Sequence, residues 1–249
     1  MNNVFAALIF FTRLPFWRLH QPPKEAYATV VEHWPLAGWL TGGTMAATLY
    51  VGSLVLPYPL AVLAAIAVRI LLTGALHEDG LADFCDGMGG GRDRQHTLAI
   101  MKDSHIGTFG VLGLVLYLLT LFTSLRHMQP TVAALTILAA DPLAKMLTAP
   151  MTTLMPYARL EAEAKAKIVY RRMGVRALLG VLVQGLLPAL PLLLLTDICW
   201  WPALSAATAT ATALCAFTWN KLKGYTGDCC GAICLLVELS AYVAMSAII

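Results

Sequence analysis

The sequence predicts an all-α fold: a polytopic integral membrane protein of about seven transmembrane helices, with a short interfacial helix at the N-terminus. Three observations carry that expectation. Of 249 residues, 59% are hydrophobic and 12% charged, against about 25% charged in an average soluble domain. Mean hydropathy is +0.72, more apolar chain than a water-facing domain of this size can bury. The apolar residues also fall in runs near the ~17–25 residues that a bilayer-crossing helix needs. Low charge, low proline content and the lack of basic runs exclude disordered, coiled-coil, collagen-like and nucleic-acid-binding chains.

Taken in order, residues 4–11 are apolar but too short to span, and they lack the basic leader and cleavage site of a signal peptide. They are expected to lie at the interface or to tuck against the bundle. Seven longer runs follow: 36–56, 60–76, 109–125, 131–151, 178–195, 202–219 and 229–249. Pro57, Tyr58 and Pro59 alone join the first two, since proline stops one helix and starts the next. The six cysteines lie mostly in or beside these runs, without paired C-x-x-C spacing, and read as small hydrophobes. No fixed-period repeat appears, so residues 1–249 form a single transmembrane helical domain.

The basic residues test this map. With a cytoplasmic N-terminus, the inner segments hold Arg13, Arg18, Lys24, Arg92, Arg94 and Lys102. They also hold Arg159, Lys165, Lys167, Arg171, Arg172, Arg176, Lys221 and Lys223. Arg126 alone falls outside, while Arg69 and Lys145 fall within runs. That asymmetry follows the positive-inside rule. The polar segments 77–108 and 152–177 are then cytoplasmic, and catalytic residues are expected near 77–108 and 220–228.

Six of the fourteen acidic residues lie between positions 78 and 103: Glu78, Asp79, Asp83, Asp86, Asp93 and Asp103. If the segment is helical, Asp79, Asp83 and Asp86 fall within about 60° of one face. Carboxylates so placed repel each other unless a cation sits among them. An oxygen-only set suits Mg²⁺ or Mn²⁺ and, with them, phosphate groups; the alternative is a solvated acidic loop, against which the regular spacing and the flanking glycines argue. Gly87, Gly89, Gly90 and Gly91 are expected to form a flexible segment whose N–H groups can approach a phosphate.

A second constellation at the mouth of the third run holds Lys102, Asp103, Ser104, His105, Gly107, Thr108 and Gly110. Lys102 can neutralise phosphate charge, and Asp103 can bind metal, accept a proton or cap a helix. A third, Lys221-Leu222-Lys223-Gly224-Tyr225-Thr226-Gly227-Asp228, puts two cations and a carboxylate before the last run. Within the runs, Asp141 and Lys145 stand one helical turn apart and are expected to pair, with a structural or a catalytic purpose. Glu238 and Arg69 are the other intramembrane charges; His77 and His105 suit acid–base work or ordinary polar contacts. The residues so far describe a membrane enzyme handling phosphorylated groups with a divalent metal. A cation- or proton-coupled transporter is the rival, but it would put its carboxylates near the midplane of repeated halves.

Four motifs carry a resemblance: Phe11-Thr12-Arg13-Leu14-Pro15; the stretch 72–87, with its Asp79-Gly80-Leu81-Ala82-Asp83 core; the stretch 100–110, from Ile100-Met101-Lys102-Asp103-Ser104 to Gly110; and Gly224 to Ala232. In order and spacing they resemble the cobalamin-5'-phosphate synthase family, the adenosylcobinamide-GDP ribazoletransferases, over essentially the whole chain. The resemblance implies a Mg²⁺-dependent enzyme of the bacterial inner membrane. There the 3'-hydroxyl of α-ribazole, or of its 5'-phosphate, displaces GMP from adenosylcobinamide-GDP and yields adenosylcobalamin or its 5'-phosphate. It casts Asp79, Asp83, Asp86 and Asp228 as metal ligands, and Lys102, Asp103 and His105 as catalytic residues, Lys102 stabilising the departing phosphate. Substrate binding is expected at Arg13, Thr108, Lys221, Lys223, Thr226 and Gly227. The partners implied are those two substrates and the lipid bilayer, and a homo-oligomer is compatible with both. The CDP-alcohol phosphotransferases also space aspartates on membrane helices, but their Ala-Arg after the first Asp-Gly is replaced here by Leu81-Ala82.

The topology is testable by cysteine-accessibility labelling. Cysteines introduced near positions 92 and 165 should react with an impermeant reagent from the cytoplasmic side alone; labelling only from outside overturns the map.

Overall fold

The computed structural model describes residues 1–159 and 169–249. Lys165 and Lys167, which contribute to the charge asymmetry, lie outside the described residues. Those that are described form helices α1 (Asn2–Phe11), α2 (Trp34–Ser53), α3 (Tyr58–Thr73), α4 (Leu76–Gly90), α5 (Arg94–Ile100) and α6 (Thr108–His127). There follow α7 (Pro130–Thr148), α8 (Met151–Leu154), α9 (Val175–Leu186), α10 (Leu190–Leu195), α11 (Trp201–Leu222) and α12 (Gly227–Ser246). A 3₁₀ stretch, Lys24–His33, links α1 to α2. Among the described residues there is no strand, only one isolated bridge between Tyr157 and Tyr225.

Helices stand at all seven apolar runs. Four segments are long and apolar enough to cross a membrane: Thr108–His127, Pro130–Leu154, Val175–Leu195 and Gly227–Ser246. The pair α3 and α4, bent by 90°, raises the number to five if taken as one broken span. Helix α3 has only 16 residues, while α2 and α11 are long but diluted by glycine, threonine and alanine. α7 and α12 are buried along most of their length. α6 and the α9–α10 segment instead turn Leu112, Leu116, Leu119, Leu182, Val183 and Leu194 outward. Water does not tolerate so large an apolar surface, and these helices mark a membrane protein. The ten-residue α1 packs on the 3₁₀ stretch and buries Ala6, Ala7 and Phe11.

Small residues let the central helices approach. A Cβ on Gly38 would sit 2.7 Å from Asp141 Oδ1, and one on Gly42 would sit 2.9 Å from Asp141 Cβ. This small-xxx-small face seats α2 on α7. Asp141 and Lys145 pair as their spacing suggested, and Arg69 and Glu238 form a second pair. Lys145 Nζ donates to Asp141 Oδ1, and Thr41 Oγ1 donates to Oδ2 at 3.0 Å. Arg69 of α3 grips Glu238 of α12 with contacts of 2.7 and 2.8 Å, and reaches Tyr117 of α6 and Glu78 of α4. One guanidinium thereby ties four helices together.

Two left-handed residues, Gly74 (φ +66°) and Ala75 (φ +58°), make the corner between α3 and α4. The end of α1 locks it: Arg13 N donates to Leu72 O at 2.7 Å, and the Arg13 side chain covers Gly74 where a Cβ would stand. The glycine run expected to be a flexible loop is helical instead. Gly87, Gly89 and Gly90 belong to α4, and Gly91 closes it through its N–H to Gly87 O. The glycines serve packing: a Cβ on Gly89 would lie 2.7 Å from the Phe109 ring, and one on Gly87 would strike Met101.

If Asp141 and Lys145 are purely a structural pair, Lys145→Met alone should cost about 3–5 kcal/mol by stranding a buried carboxylate. The double replacement Asp141→Leu with Lys145→Met should recover most of that stability and activity. Thermal unfolding in detergent and GMP release measure the two. Recovered folding without recovered activity assigns the pair a direct part in catalysis.

Candidate active site

The three carboxylates of α4 diverge in employment. Asp86, buried, accepts the backbone N–H of Gly107 at Oδ2 (2.7 Å) and of Gly110 at Oδ1 (2.8 Å). It satisfies donors that the start of α6 cannot pair within its own helix. Both glycines are required: a Cβ on Gly107 would come within 2.5 Å of Asp86 Oδ1, and one on Gly110 would collide with Oδ2. Asp79 is exposed and lines a cavity of about 130 Å³. Asp83, half-buried one turn further on, is not among the cavity-lining residues. Among the described residues no three His, Cys, Asp or Glu side chains stand together as a ready metal site. The triad Asp79, Asp83 and Asp86 is therefore not a preformed cage, because Asp86 is committed to the backbone of α6.

A different carboxylate shares the cavity with Asp79. Asp228, in the first turn of α12, lines the same cavity. The helices meet there almost backbone to backbone. A Cβ on Gly80 would lie 3.0 Å from Asp228 O, and one on Gly231 would lie 3.3 Å from His77 Cα. Thr226 caps α12, its Oγ1 accepting the Cys229 N–H at 3.2 Å. Gly227 lines the cavity, with open space where a Cβ would be. The N–H groups of this first turn favour a negatively charged ligand.

The loop after α8 supplies a cation. Tyr225 N donates to Pro156 O (3.0 Å), and Ala158 N donates to Tyr225 O (2.8 Å). Arg94 of α5 fastens the same place, reaching Leu222 O and Ala158 O at 2.7 and 2.6 Å. Arg159 is thus held in the cavity wall, its side chain 3% exposed and Nη2 3.7 Å from Asp228 Oδ2. Among the described residues its Nε has no hydrogen-bond partner. The remaining wall is largely aromatic: Phe10, Phe11, Trp34, His77, Tyr157 and Tyr170. Burial raises the Tyr157 and Tyr170 hydroxyl pKa values above the usual phenol range, so both stay protonated at neutral pH.

Several expected residues stand apart from this cavity. Lys102, Asp103 and His105 are exposed on the loop between α5 and α6. Asp103 Oδ1 accepts both the backbone N–H of His105 (3.0 Å) and a contact from its ring Nδ1 (2.7 Å). Those hydrogen bonds hold the Asp103 carboxyl below its ordinary range, which makes it a weaker base. Lys102 lines a neighbouring surface hollow that shares Tyr157 and Arg159 with the cavity. Thr108 is exposed at the start of α6 and Lys221 at the end of α11. Lys223 lies over Trp219, 5.7 Å from the ring centre. Arg13 serves the α3–α4 corner. Of the expected substrate contacts, Gly227 lines the cavity and Thr226 caps the helix beneath it. Sequence reasoning missed the aromatic wall and the part of Arg159, which reads in sequence only as one cytoplasmic cation among several.

The carboxylate assignment has a contrast built into it. Asp86→Ala strands two backbone N–H groups and should cost about 1–3 kcal/mol of stability. Asp93→Asn should be near neutral, because Asp93 caps α5 through the His96 N–H (2.9 Å) and asparagine caps equally well. Thermal unfolding of the two variants checks both.

The cobalamin-5-phosphate synthase family model matches residues 3–246. A protein of Leptothrix cholodnii named adenosylcobinamide-GDP ribazoletransferase is 36% identical over 252 residues, covering 96% of this chain and 92% of its own. Proteins with the same name from Ralstonia nicotianae and Shewanella woodyi are 35% and 30% identical, each across 96% of this chain and 92% and 93% of their own. No solved structure matches. With a cavity that joins carboxylates to a buried arginine and a match along nearly its whole length, the chain belongs to the cobalamin-5-phosphate synthase family.

Proposed function

We propose that this chain is an adenosylcobinamide-GDP ribazoletransferase of a bacterial inner membrane. It joins α-ribazole, or its 5'-phosphate, to adenosylcobinamide-GDP and releases GMP, with Mg²⁺ as cofactor. The observation that carries the reading is the meeting of Asp79 and Asp228, from two helices, in one cavity beside the buried Arg159. Mg²⁺ is typically held by one or two carboxylates plus substrate phosphate oxygens and water. The oxygen-only pair Asp79 and Asp228 fits that habit without a third protein ligand, with Asp83 one turn away. When bound, the ion neutralises charge on the diphosphate.

The residues of the chain do the rest. The acceptor's 3'-hydroxyl attacks the phosphorus that carries the corrinoid arm, the bond to GMP breaks, and the hydroxyl proton departs. Charge develops on the transferred and leaving phosphate oxygens, and preorganised donors there lower the barrier. Arg159 offers an Nε–H that has no hydrogen-bond partner among the described residues, and the first turn of α12 offers backbone N–H groups. Lys102, in the adjoining hollow, adds positive charge near the mouth. In the membrane we read seven crossings with the N-terminus in the cytoplasm. The basic asymmetry supports this, as do helices at each apolar run.

The test is GMP release from adenosylcobinamide-GDP across a Mg²⁺ titration in detergent-purified variants. Asp79→Asn and Asp228→Asn should each lower turnover by about 100-fold or more while the protein stays folded, and their losses should not simply multiply. Near-normal rates with unchanged Mg²⁺ dependence in both variants put the metal elsewhere and reject the mechanism.

A further inference from the structure

Helix α5 leads into the motif at 100–110, yet no residue of it lines the cavity. It reaches Arg159, the cation of the cavity wall, from two points. Arg94 Nε donates to Leu222 O at 2.7 Å and Nη2 donates to Ala158 O at 2.6 Å. One turn further along α5, Leu98 O accepts from Arg159 Nη2 at 3.3 Å. The Arg159 guanidinium therefore rests between a carbonyl of α5 and, 3.7 Å away, the Asp228 carboxylate.

The backbone that carries Arg159 has little regular structure of its own. Residues 155–159 follow α8 as irregular chain, apart from the bridge of Tyr157 to Tyr225. The turn they meet, between α11 and α12, passes through left-handed backbone at Lys223 (φ +51°). Arg94 spans both pieces: one planar guanidinium holds the carbonyl that ends α11 and the carbonyl next to Arg159. A lysine ammonium on its flexible stem presents no such fork. Helix α5 is itself seated on α4, since a Cβ on Gly91 would strike Thr97 and one on Gly87 would strike Met101. The place of Arg159 is thereby referred to the helix that carries Asp79.

We infer that Arg94 is a positioning residue for Arg159: it fixes that guanidinium beside Asp228 and acts on the reaction through Arg159 alone. Its effect on rate rests on the ribazoletransferase reading above; the placement itself does not. Misplacing a reacting or stabilising group by about 1 Å can cost roughly 100-fold in rate. Because Arg94 is exposed, its replacement opens no void in the core.

The experiment has a kinetic and a chemical arm, both on the full chain in detergent. Arg94→Lys should lower kcat for GMP release about tenfold or more and leave KM for both substrates within about twofold. Arg159→Gln should lower kcat further. Adding Arg94→Lys to Arg159→Gln should cost nothing more, because the group it positions is already gone. A general loosening of the fold would multiply the two losses instead. In the chemical arm, phenylglyoxal modification is followed by mass spectrometry of the peptide carrying Arg159. Modification should be slow in the wild type and several-fold faster in Arg94→Lys, with thermal unfolding unchanged. Near-normal kcat in Arg94→Lys, multiplying losses in the double variant, or an unaltered rate of Arg159 modification overturns the assignment. Faster modification in Arg94→Lys without GMP release in the wild type sustains the positioning and rejects the assigned reaction. Should Arg94→Lys not fold, Arg94→Gln takes its place in both arms. Failure of both to fold overturns the assignment too, because Arg94 then supports the whole fold rather than Arg159.

Discussion

The contact between α4 and the first turn of α12 is the constraint on which the site depends. Gly80 and Gly231 remove the side chains that would hold the two backbones apart. A Cβ at either position would press on the facing backbone, at 3.0 Å from Asp228 O or 3.3 Å from His77 Cα. The close approach puts Asp79 and Asp228 both in the wall of one cavity, with the Arg159 guanidinium 3.7 Å from Asp228.

Beneath the cavity lies a second charged layer with a different purpose. Arg69, Glu78, Glu238, Asp141 and Lys145 surround a small internal space that His77 also borders. Two cations meet three carboxylates: Arg69 is hydrogen-bonded to Glu238 and Lys145 to Asp141, Glu78 lies 3.7 Å from Arg69, and Tyr117, Tyr242 and Thr41 take up further lone pairs and protons. Buried pairs of this kind add little net stability but penalise wrong arrangements heavily, since any mispairing strands a charge in an apolar medium. A framework this specific holds α4 and α12 in register so that Asp79 and Asp228 line one cavity.

The helices were legible because a bilayer-crossing segment needs a long apolar run, and the sequence contains seven. The partnership of Asp141 with Lys145 was legible too, because their spacing brings them together on any helix. The glycine run after Asp86 was not. Glycine disfavours helix and reads as loop, and only contact with Met101 and Phe109 explains why Gly87 and Gly89 are helical. Asp79, Asp86 and Asp228 were all marked by their motifs, but spacing along one helix could not separate the carboxylate that faces the cavity from the one that holds α6. Arg159, Trp34 and Tyr170 carry no local signature. Their association arises from separate chain segments meeting, and no periodicity within any one of them encodes it.

The corner at Gly74 and Ala75 decides what the acidic helix can touch. Helix α4 carries Glu78, Asp79, Asp83 and Asp86 within its first three turns. Had α3 continued straight, these carboxylates would have run on along its axis, away from the first turn of α12. A 90° bend directs α4 across the axis of α3 and sets Gly80 against the backbone of Asp228. Left-handed backbone at Ala75 costs an L-residue roughly 1–2 kcal/mol, a strain confined to one residue. Two residues of backbone thereby convert a continuation of one helix into a wall of the cavity.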